Sequence, residues 1–257
     1  MKKTNVLYLL LMSVISFSAF GQLSAVKYAD QKQELNGLAG KPESPNAKKA
    51  GVLIIPAWKG IDEHARHSAE KLTGEGYFTF VADIYGAGKY PKDAKEAAEI
   101  SGYYKEHLAE YQQRIRLALE QLVKAGANPD QLVVIGYCFG GTGALEAARA
   151  DLPVKGVVSF HGGLGYDATR VIKPMKGRVL VLHGADDPYV PEAQIKAFQE
   201  EMRTAKADWE MVYFANAVHA FTEVAAGNDN SKGAAYNEKA AKRSWEIFHL
   251  FLDELFK

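Results

Sequence analysis

The chain of 257 residues is 47% hydrophobic and 24% charged, a balance typical of globular proteins and unlike that of disordered, fibrous or membrane-embedded chains. Its 31 lysine and arginine residues equal its 31 aspartate and glutamate residues, so net charge favours neither nucleic acid nor an anionic membrane as partner. We therefore expect a small-molecule partner, no nucleic acid, and a monomer or weak homo-oligomer.

Residues 1–21 have the pattern of a secretory signal peptide. Two lysines precede an apolar run from Val6 to Met12, and small residues stand at Ala19 and Gly21. An uncleaved membrane anchor is the weaker alternative, because polar residues interrupt any apolar run of about 20 residues. We expect cleavage after Gly21, export to the periplasm or the medium, and no membrane association of the mature chain.

Short apolar segments alternate with amphipathic helical patterns along residues 22–257. Strands are predicted at Gly51–Ala57, Tyr77–Ala82, Leu132–Gly136, Val154–Phe160, Arg178–Leu182 and Trp209–Phe214. Helices are predicted around 61–72, 108–122, 141–150, 191–202 and 241–255. Residues Val26–Gly40 indicate an antiparallel edge hairpin that turns at Asn36 and Gly37. The alternation predicts one α/β domain with a mainly parallel sheet covered by helices on both faces.

The single cysteine of the chain lies between a predicted strand and a predicted helix. Gly136, Cys138 and Gly140 form the pattern G-x-C-x-G, the cysteine version of the G-x-S-x-G nucleophile elbow. The amides at the start of the helix favour a thiolate, and the Phe139 amide would donate to an oxyanion. A buried structural cysteine in a glycine-rich turn is the alternative, so the interpretation depends on partner residues.

Candidate partners for Cys138 lie in loops after later strands, first an acid and then a histidine. Asp186 and Asp187 lie in the turn that follows the strand RVLVL, three residues after its end. Either could be the acid, although Asp186 is more typical of a solvated turn. His219 lies in the loop after the strand WEMVYF. It would take the thiol proton and return it to the leaving group, while an aspartate would orient its ring.

The other histidines have weaker signals. His64 and His67 are spaced like a metal pair, but no further ligand stands at suitable spacing, and we interpret them as surface residues. His161 and His183 follow predicted strands and are expected near the pocket. No metal and no cofactor is expected.

The segments GYCFGG, DPYVP and HAF resemble the dienelactone hydrolase family. The similarity extends from about Val26 to the C-terminal helix and includes PAWKGID, VADIYGAGK and SFHGGL. It implies an α/β-hydrolase fold, Asp187 as the acid, the Trp58 amide as a second oxyanion donor, and hydrolysis of a carboxylic ester or lactone. Candidate pocket-lining residues are Ala57, Tyr85, Tyr137, His161, Tyr189 and Phe221.

Two positions depart from the family pattern. Ala57 stands where relatives carry a glutamate near the cysteine, so control of the thiol proton is expected to pass to His219 alone. Glu223 stands where dienelactone hydrolases carry one of two arginines that clamp the substrate carboxylate, and no arginine lies between Arg66 and Arg114 to supply the other. An acidic dienelactone is therefore not the expected substrate.

Three functional hypotheses follow from these residues. The first is a Cys138, Asp187, His219 hydrolase that acts through an acyl-thioenzyme. The second is a non-catalytic small-molecule-binding protein that keeps the fold, with Ala57 marking lost chemistry. The third is a thiol redox protein, which the absence of a second cysteine disfavours.

Overall fold

Residues 21–257 are described by a computed structural model, so the predicted signal peptide lies, except for Gly21, outside the described residues. Within that range, no helix has both the length and the apolar character needed to cross a bilayer.

An eight-stranded sheet in the order β1-β2-β4-β3-β5-β6-β7-β8 forms the centre of the described chain. The strands are β1 Leu23–Asp30, β2 Gln33–Gly40, β3 Gly51–Ile55, β4 Phe78–Val81, β5 Leu132–Tyr137, β6 Gly156–Phe160, β7 Arg178–Gly184 and β8 Trp209–Phe214. The pairs from β4 through β3 to β8 are parallel, whereas β1 with β2 and β2 with β4 are antiparallel. The predicted mainly parallel sheet is confirmed.

Helices cover both faces of this sheet. They are α1 Glu63–Gly74, α2 Ala94–Glu106, α3 Leu108–Lys124, α4 Phe139–Arg149, α5 Glu192–Thr204 and α6 Glu238–Leu255. Alternate β3 residues point to opposite faces: Leu53 joins a cluster with residues of α2 to α5, and Ile54 joins one with residues of α1 and α6. Burial on both faces explains why these strands read as continuous apolar runs.

The edge hairpin is present, but its predicted turn is wrong. Gln31, with φ 53°, lies in the turn between β1 and β2, whereas Asn36 and Gly37 lie inside β2. A Cβ atom on Gly37 would collide with the ring of Phe80. The glycine is therefore required for close packing of β2 against β4, not for a turn.

The parallel register brings five loops to one edge of the sheet. Ile55 is opposite Gly136, and β5, β6, β7 and β8 also end close together in register. Active sites of such sheets collect at the carboxyl ends of the strands. The loops at this edge carry Trp58, Cys138, His161, Asp187 and His219.

Candidate active site

The turn from β5 to α4 holds Cys138 in a sparsely populated backbone conformation. Its φ of 52° and ψ of −112° lie outside the regions that side chains usually adopt. Added Cβ atoms would collide with the Gly140 carbonyl at Gly136, and with the Ile55 carbonyl at Gly140. Both glycines of the motif are thus needed for the sharp turn that leaves the Cys138 side chain half-buried.

Two backbone amides beside this turn have no backbone hydrogen-bond acceptor in residues 21–257. They belong to Phe139, the first residue of α4, and to Trp58, in the loop after β3. The Tyr85 hydroxyl donates to the Trp58 carbonyl at 2.8 Å and so restrains this peptide segment. Free amides on two converging loops are the chemical requirement for binding an oxyanion.

Asp187 and His219 are directly bonded. The Nδ1 atom of His219 lies 2.8 Å from Oδ2 of Asp187, and the Asp187 side chain is fully buried. The Tyr189 amide donates to the other carboxylate oxygen at 2.9 Å. Asp186 is exposed. Of the two aspartates, Asp187 is the one that contacts the histidine.

The Cys138 side chain also lies near the His219 ring. Burial opposes protonation of the ring, but the hydrogen bond to Asp187 and the proximity of Cys138 outweigh it and raise the pKa of His219 to about 10. The raised pKa favours the protonated imidazole, the form that can give a proton to a leaving group. Asp187 and His219 are thus paired, and Cys138 lies near the same ring.

A second histidine, His161, hydrogen-bonds to the backbone of this turn. The Cys138 amide donates both to the Phe160 carbonyl at 3.0 Å and to Nδ1 of His161 at 3.2 Å. Nε2 of His161 lies 2.8 Å from the Thr222 hydroxyl, which lies 3.2 Å from Nε2 of His64. Because Nδ1 of His161 accepts, its Nε2 carries the proton, and the Thr222 hydroxyl donates to His64.

The prediction that His64 is a surface residue is wrong. Its ring is half-buried, packs edge-on against Tyr137 at 4.4 Å between centroids, and bonds to Thr222. Burial lowers the pKa of His64, and burial together with the charge of His219 lowers the pKa of His161 well below its ordinary value. Both rings are accordingly neutral in the folded protein. His67 is exposed, as expected.

Three of the predicted pocket residues contact groups of the site. Tyr85 bonds to Trp58, and His161 packs edge-on against His219 at 5.4 Å between centroids. Tyr189 packs edge-on against the same ring at 5.3 Å and is 58% exposed. His161 and Tyr189 thus flank the imidazole, and the exposure of Tyr189 leaves this side of it open to solvent.

The other three lie deeper. Ala57, Tyr137 and Phe221 are buried in the apolar cluster that includes α1 and α6. The Tyr137 hydroxyl shares a hydrogen bond with Ser68 at 3.0 Å, and Phe221 packs edge-on against His161. That they line a cavity stays a prediction, as it does for His183, which is buried next to Tyr213.

A sequence model of the Dienelactone hydrolase family matches residues 35–256. The chain belongs to the dienelactone hydrolase family. Three relatives illustrate its range. The solved structure m3DLH is 33% identical and covers 93% of this chain and 100% of its own, with a TM-score of 0.87. The structure of the "Dienelactone Hydrolase-like Promiscuous Phosphotriesterase P91", from metagenomic libraries, is 34% identical over 92% and 99%, with a TM-score of 0.83.

The third relative, from Bradyrhizobium sp., is named "Probable 2-oxo-3-(5-oxofuran-2-ylidene)propanoate lactonase". It is 26% identical over 78% of this chain and 82% of its own length. The two solved structures confirm the α/β-hydrolase fold expected from the sequence.

Two side chains near the site have contacts that the sequence does not indicate. Thr222 links His161 to His64, and Glu223 is mostly buried close to His219. Thr222 gave no signal, because one hydroxyl residue in a loop matches no motif. The sequence marks Glu223 only as a position where the family pattern has an arginine. Its electrostatic interactions with Asp62 and Lys59 could not be predicted from sequence spacing, because those two residues belong to another loop.

Proposed function

We propose that this protein hydrolyses carboxylic esters or lactones through nucleophilic attack by Cys138. His219 acts as the acid and base, and Asp187 orients its ring. The observation that carries this proposal is the hydrogen bond of 2.8 Å between His219 and Asp187, on a ring that lies near Cys138. The strained turn at Cys138 and the free amides of Trp58 and Phe139 support the same reading.

In the first half of the reaction, the Cys138 sulfur attacks the substrate carbonyl carbon. The Trp58 and Phe139 amides stabilise the negative oxygen of the tetrahedral intermediate. His219 gives its proton to the departing alkoxide as the carbon–oxygen bond breaks, which leaves an acyl thioester on Cys138.

In the second half, His219 accepts a proton from water, and the resulting hydroxide attacks the thioester. Collapse of the second intermediate releases the acid and the thiolate. The His219 ring is neutral at this point, because it gave its proton to the leaving group in the first half, and it can therefore act as a base.

A non-catalytic binding protein is the competing hypothesis. It accounts for Ala57, which replaces a family carboxyl, but it gives no reason for a buried Asp187 bonded to His219. A redox role accounts for neither feature. Relatives named as a lactonase and as a phosphotriesterase also favour hydrolysis.

Initial rates with 4-nitrophenyl acetate test the proposal. We expect wild-type protein to release an early burst of nitrophenol followed by steady turnover, and Cys138→Ala to show neither. Turnover by Cys138→Ala equal to wild type would refute the nucleophile. Ligand binding without any turnover in the wild type would favour the binding protein instead, and sulfenate or mixed disulfide formation under peroxide would favour the redox protein.

We also propose that the protein is exported, on the basis of the signal-like residues 1–21. Expression of the full chain followed by cell fractionation tests this. Mature protein beginning at Gln22 in the periplasm or medium is expected, and an uncleaved chain retained in the cytoplasm would contradict it.

A further inference from the structure

Two buried tyrosine hydroxyls each donate to one of the loops that carry the Trp58 and Phe139 amides. The Tyr85 hydroxyl donates to the Trp58 carbonyl at 2.8 Å, and the Tyr111 hydroxyl donates to the Phe139 carbonyl at 2.9 Å. Tyr85 lies in the loop after β4 and is 2% exposed, and Tyr111 lies in α3 and is fully buried. Burial raises the pKa of both tyrosines above its ordinary value, so the hydroxyls keep the protons that they donate.

The rings of both tyrosines pack against the ring of Phe139. The Tyr111 ring stacks on it, nearly parallel, at 4.6 Å between centroids, and the Tyr85 ring lies at 5.6 Å. Tyr104 completes the cluster, at 5.8 Å from Tyr85 and 5.9 Å from Tyr111. All four rings are buried. Because interiors are densely packed, neither hydroxyl can leave its carbonyl without disturbing the other rings.

The first turn of α4 has the shape needed to admit the Tyr111 hydroxyl. A Cβ atom on Gly143 would collide with that hydroxyl. Glycine inside a helix is destabilising relative to alanine, so the close approach of Tyr111 gives a physical reason for its presence. The bond between Tyr111 and Phe139 therefore depends on a residue one turn further along the helix.

The two loops that carry the amides also lie directly against each other. A Cβ atom on Gly140, the residue after Phe139, would collide with the Ile55 and Pro56 carbonyls. Pro56 is two residues before Trp58 in the chain. A shift of either loop would therefore change the spacing between the two amides.

We propose that Tyr85 and Tyr111 are positioning residues of the oxyanion site. Their hydroxyls hold the two loops at the spacing at which both amides donate to one substrate oxygen. This inference rests on the proposed ester or lactone hydrolysis. In this role neither hydroxyl contacts the substrate, since each acts through the peptide chain to which it bonds.

The physical reason is the sensitivity of an oxyanion site to geometry. Removal of one donor slows catalysis about a hundredfold to a thousandfold, and misplacement of a group by about 1 Å can cost about a hundredfold. Loss of a tyrosine hydroxyl leaves the amide present but less firmly held. The expected loss is therefore smaller than that of a missing donor, about tenfold.

Two reactions of Cys138 separate this role from general damage to the site. Acylation by 4-nitrophenyl acetate passes through a tetrahedral intermediate with a negative oxygen. Alkylation by iodoacetamide forms a sulfur–carbon bond as iodide leaves, and no oxyanion arises. We expect Tyr85→Phe and Tyr111→Phe each to slow the acylation burst about tenfold and to leave the alkylation rate within about twofold of wild type.

Tyr104→Phe is the matched control. Its ring belongs to the same buried cluster, but within residues 21–257 its hydroxyl bonds to neither loop, so both rates should stay at the wild-type values. Because Tyr85 and Tyr111 belong to different elements, a folding defect in one variant leaves the other as a test. Unchanged acylation in a folded variant, or equal losses of acylation and alkylation, would overturn the positioning role alone. Absence of a Cys138-dependent burst in the wild type would overturn the proposed function and this inference together.

Discussion

The Nδ1 atom of His219 lies 2.8 Å from Oδ2 of the buried Asp187. This contact fixes the ring orientation and leaves the second ring nitrogen free of Asp187, on a ring that lies near Cys138. The adjacent Asp186 is exposed. The two neighbouring aspartates therefore form a natural pair of test positions.

Asp187→Asn should reduce kcat/KM for 4-nitrophenyl acetate by roughly a thousandfold or more, because an amide can stabilise the wrong tautomer of His219 and cannot balance its charge. Steady-state kinetics measures the loss. Asp186→Asn is the control and should stay within about twofold of wild type, since surface substitutions change little. Similar losses in both variants would contradict the assignment of Asp187.

Gly140→Ala should destabilise the protein by about 1–3 kcal/mol or more, because the new methyl group meets the Ile55 and Pro56 carbonyls. The midpoint temperature of thermal unfolding should fall. Esterase activity should fall as well, because relief of the collision moves the Phe139 amide. Gly102→Ala, in α2 with open space around it, should instead stabilise by about 0.5–1 kcal/mol. A Gly140→Ala variant as stable as wild type would show that the turn tolerates a side chain.

Thr222→Val should weaken the support of the Cys138 turn, because it removes the hydroxyl that bonds to His161 and His64. Leaving these buried nitrogens unpaired should cost about 1–3 kcal/mol in urea unfolding. Thr222→Ser keeps the hydroxyl and should recover most of that stability. If valine and serine behave alike, the hydroxyl bridge does not contribute.

Stability should decrease in mildly acidic solution because of His161 and His64. Their folded-state pKa values are lowered, so between those values and the ordinary value of about 6.5 the unfolded chain binds more protons. This contribution is present above the ordinary pKa and is lost as pH falls toward the folded-state values. The free energy of unfolding of His161→Gln, measured in urea, should depend less steeply on pH than that of the wild type. The variant His107→Gln, at an exposed position, should keep the wild-type dependence.

Much of the fold could be predicted because it follows from local patterns. Residues of β3 and β5 are buried on both faces and so are uniformly apolar, which identifies parallel strands. Helix α2 was not predicted, since Ala97, Ser101 and Tyr104 are its only buried residues and make a weak apolar stripe. Gly37 was assigned to a turn because its real constraint, the ring of Phe80, comes from a distant strand.

The candidate site shows the same division. Cys138 and His219 were recognisable from a motif and from chain order, because the elbow has strict local requirements. His64 was placed on the surface because its partners, Thr222 and Tyr137, come from other parts of the chain. The neighbours of Glu223 likewise become visible only when the loops meet at the sheet edge.

In the proposed mechanism, Cys138 carries the acyl group during turnover. Acid-quenched wild-type protein, sampled during hydrolysis of 4-nitrophenyl acetate and analysed by peptide mass spectrometry, tests it most directly. We predict one acetyl group on the peptide that contains Cys138, and none on the corresponding peptide of Cys138→Ala. In Asp187→Asn the acetyl group should persist longer than in the wild type. Sustained hydrolysis with no acetyl group on Cys138, or with the acetyl group on another residue, would contradict the proposed mechanism.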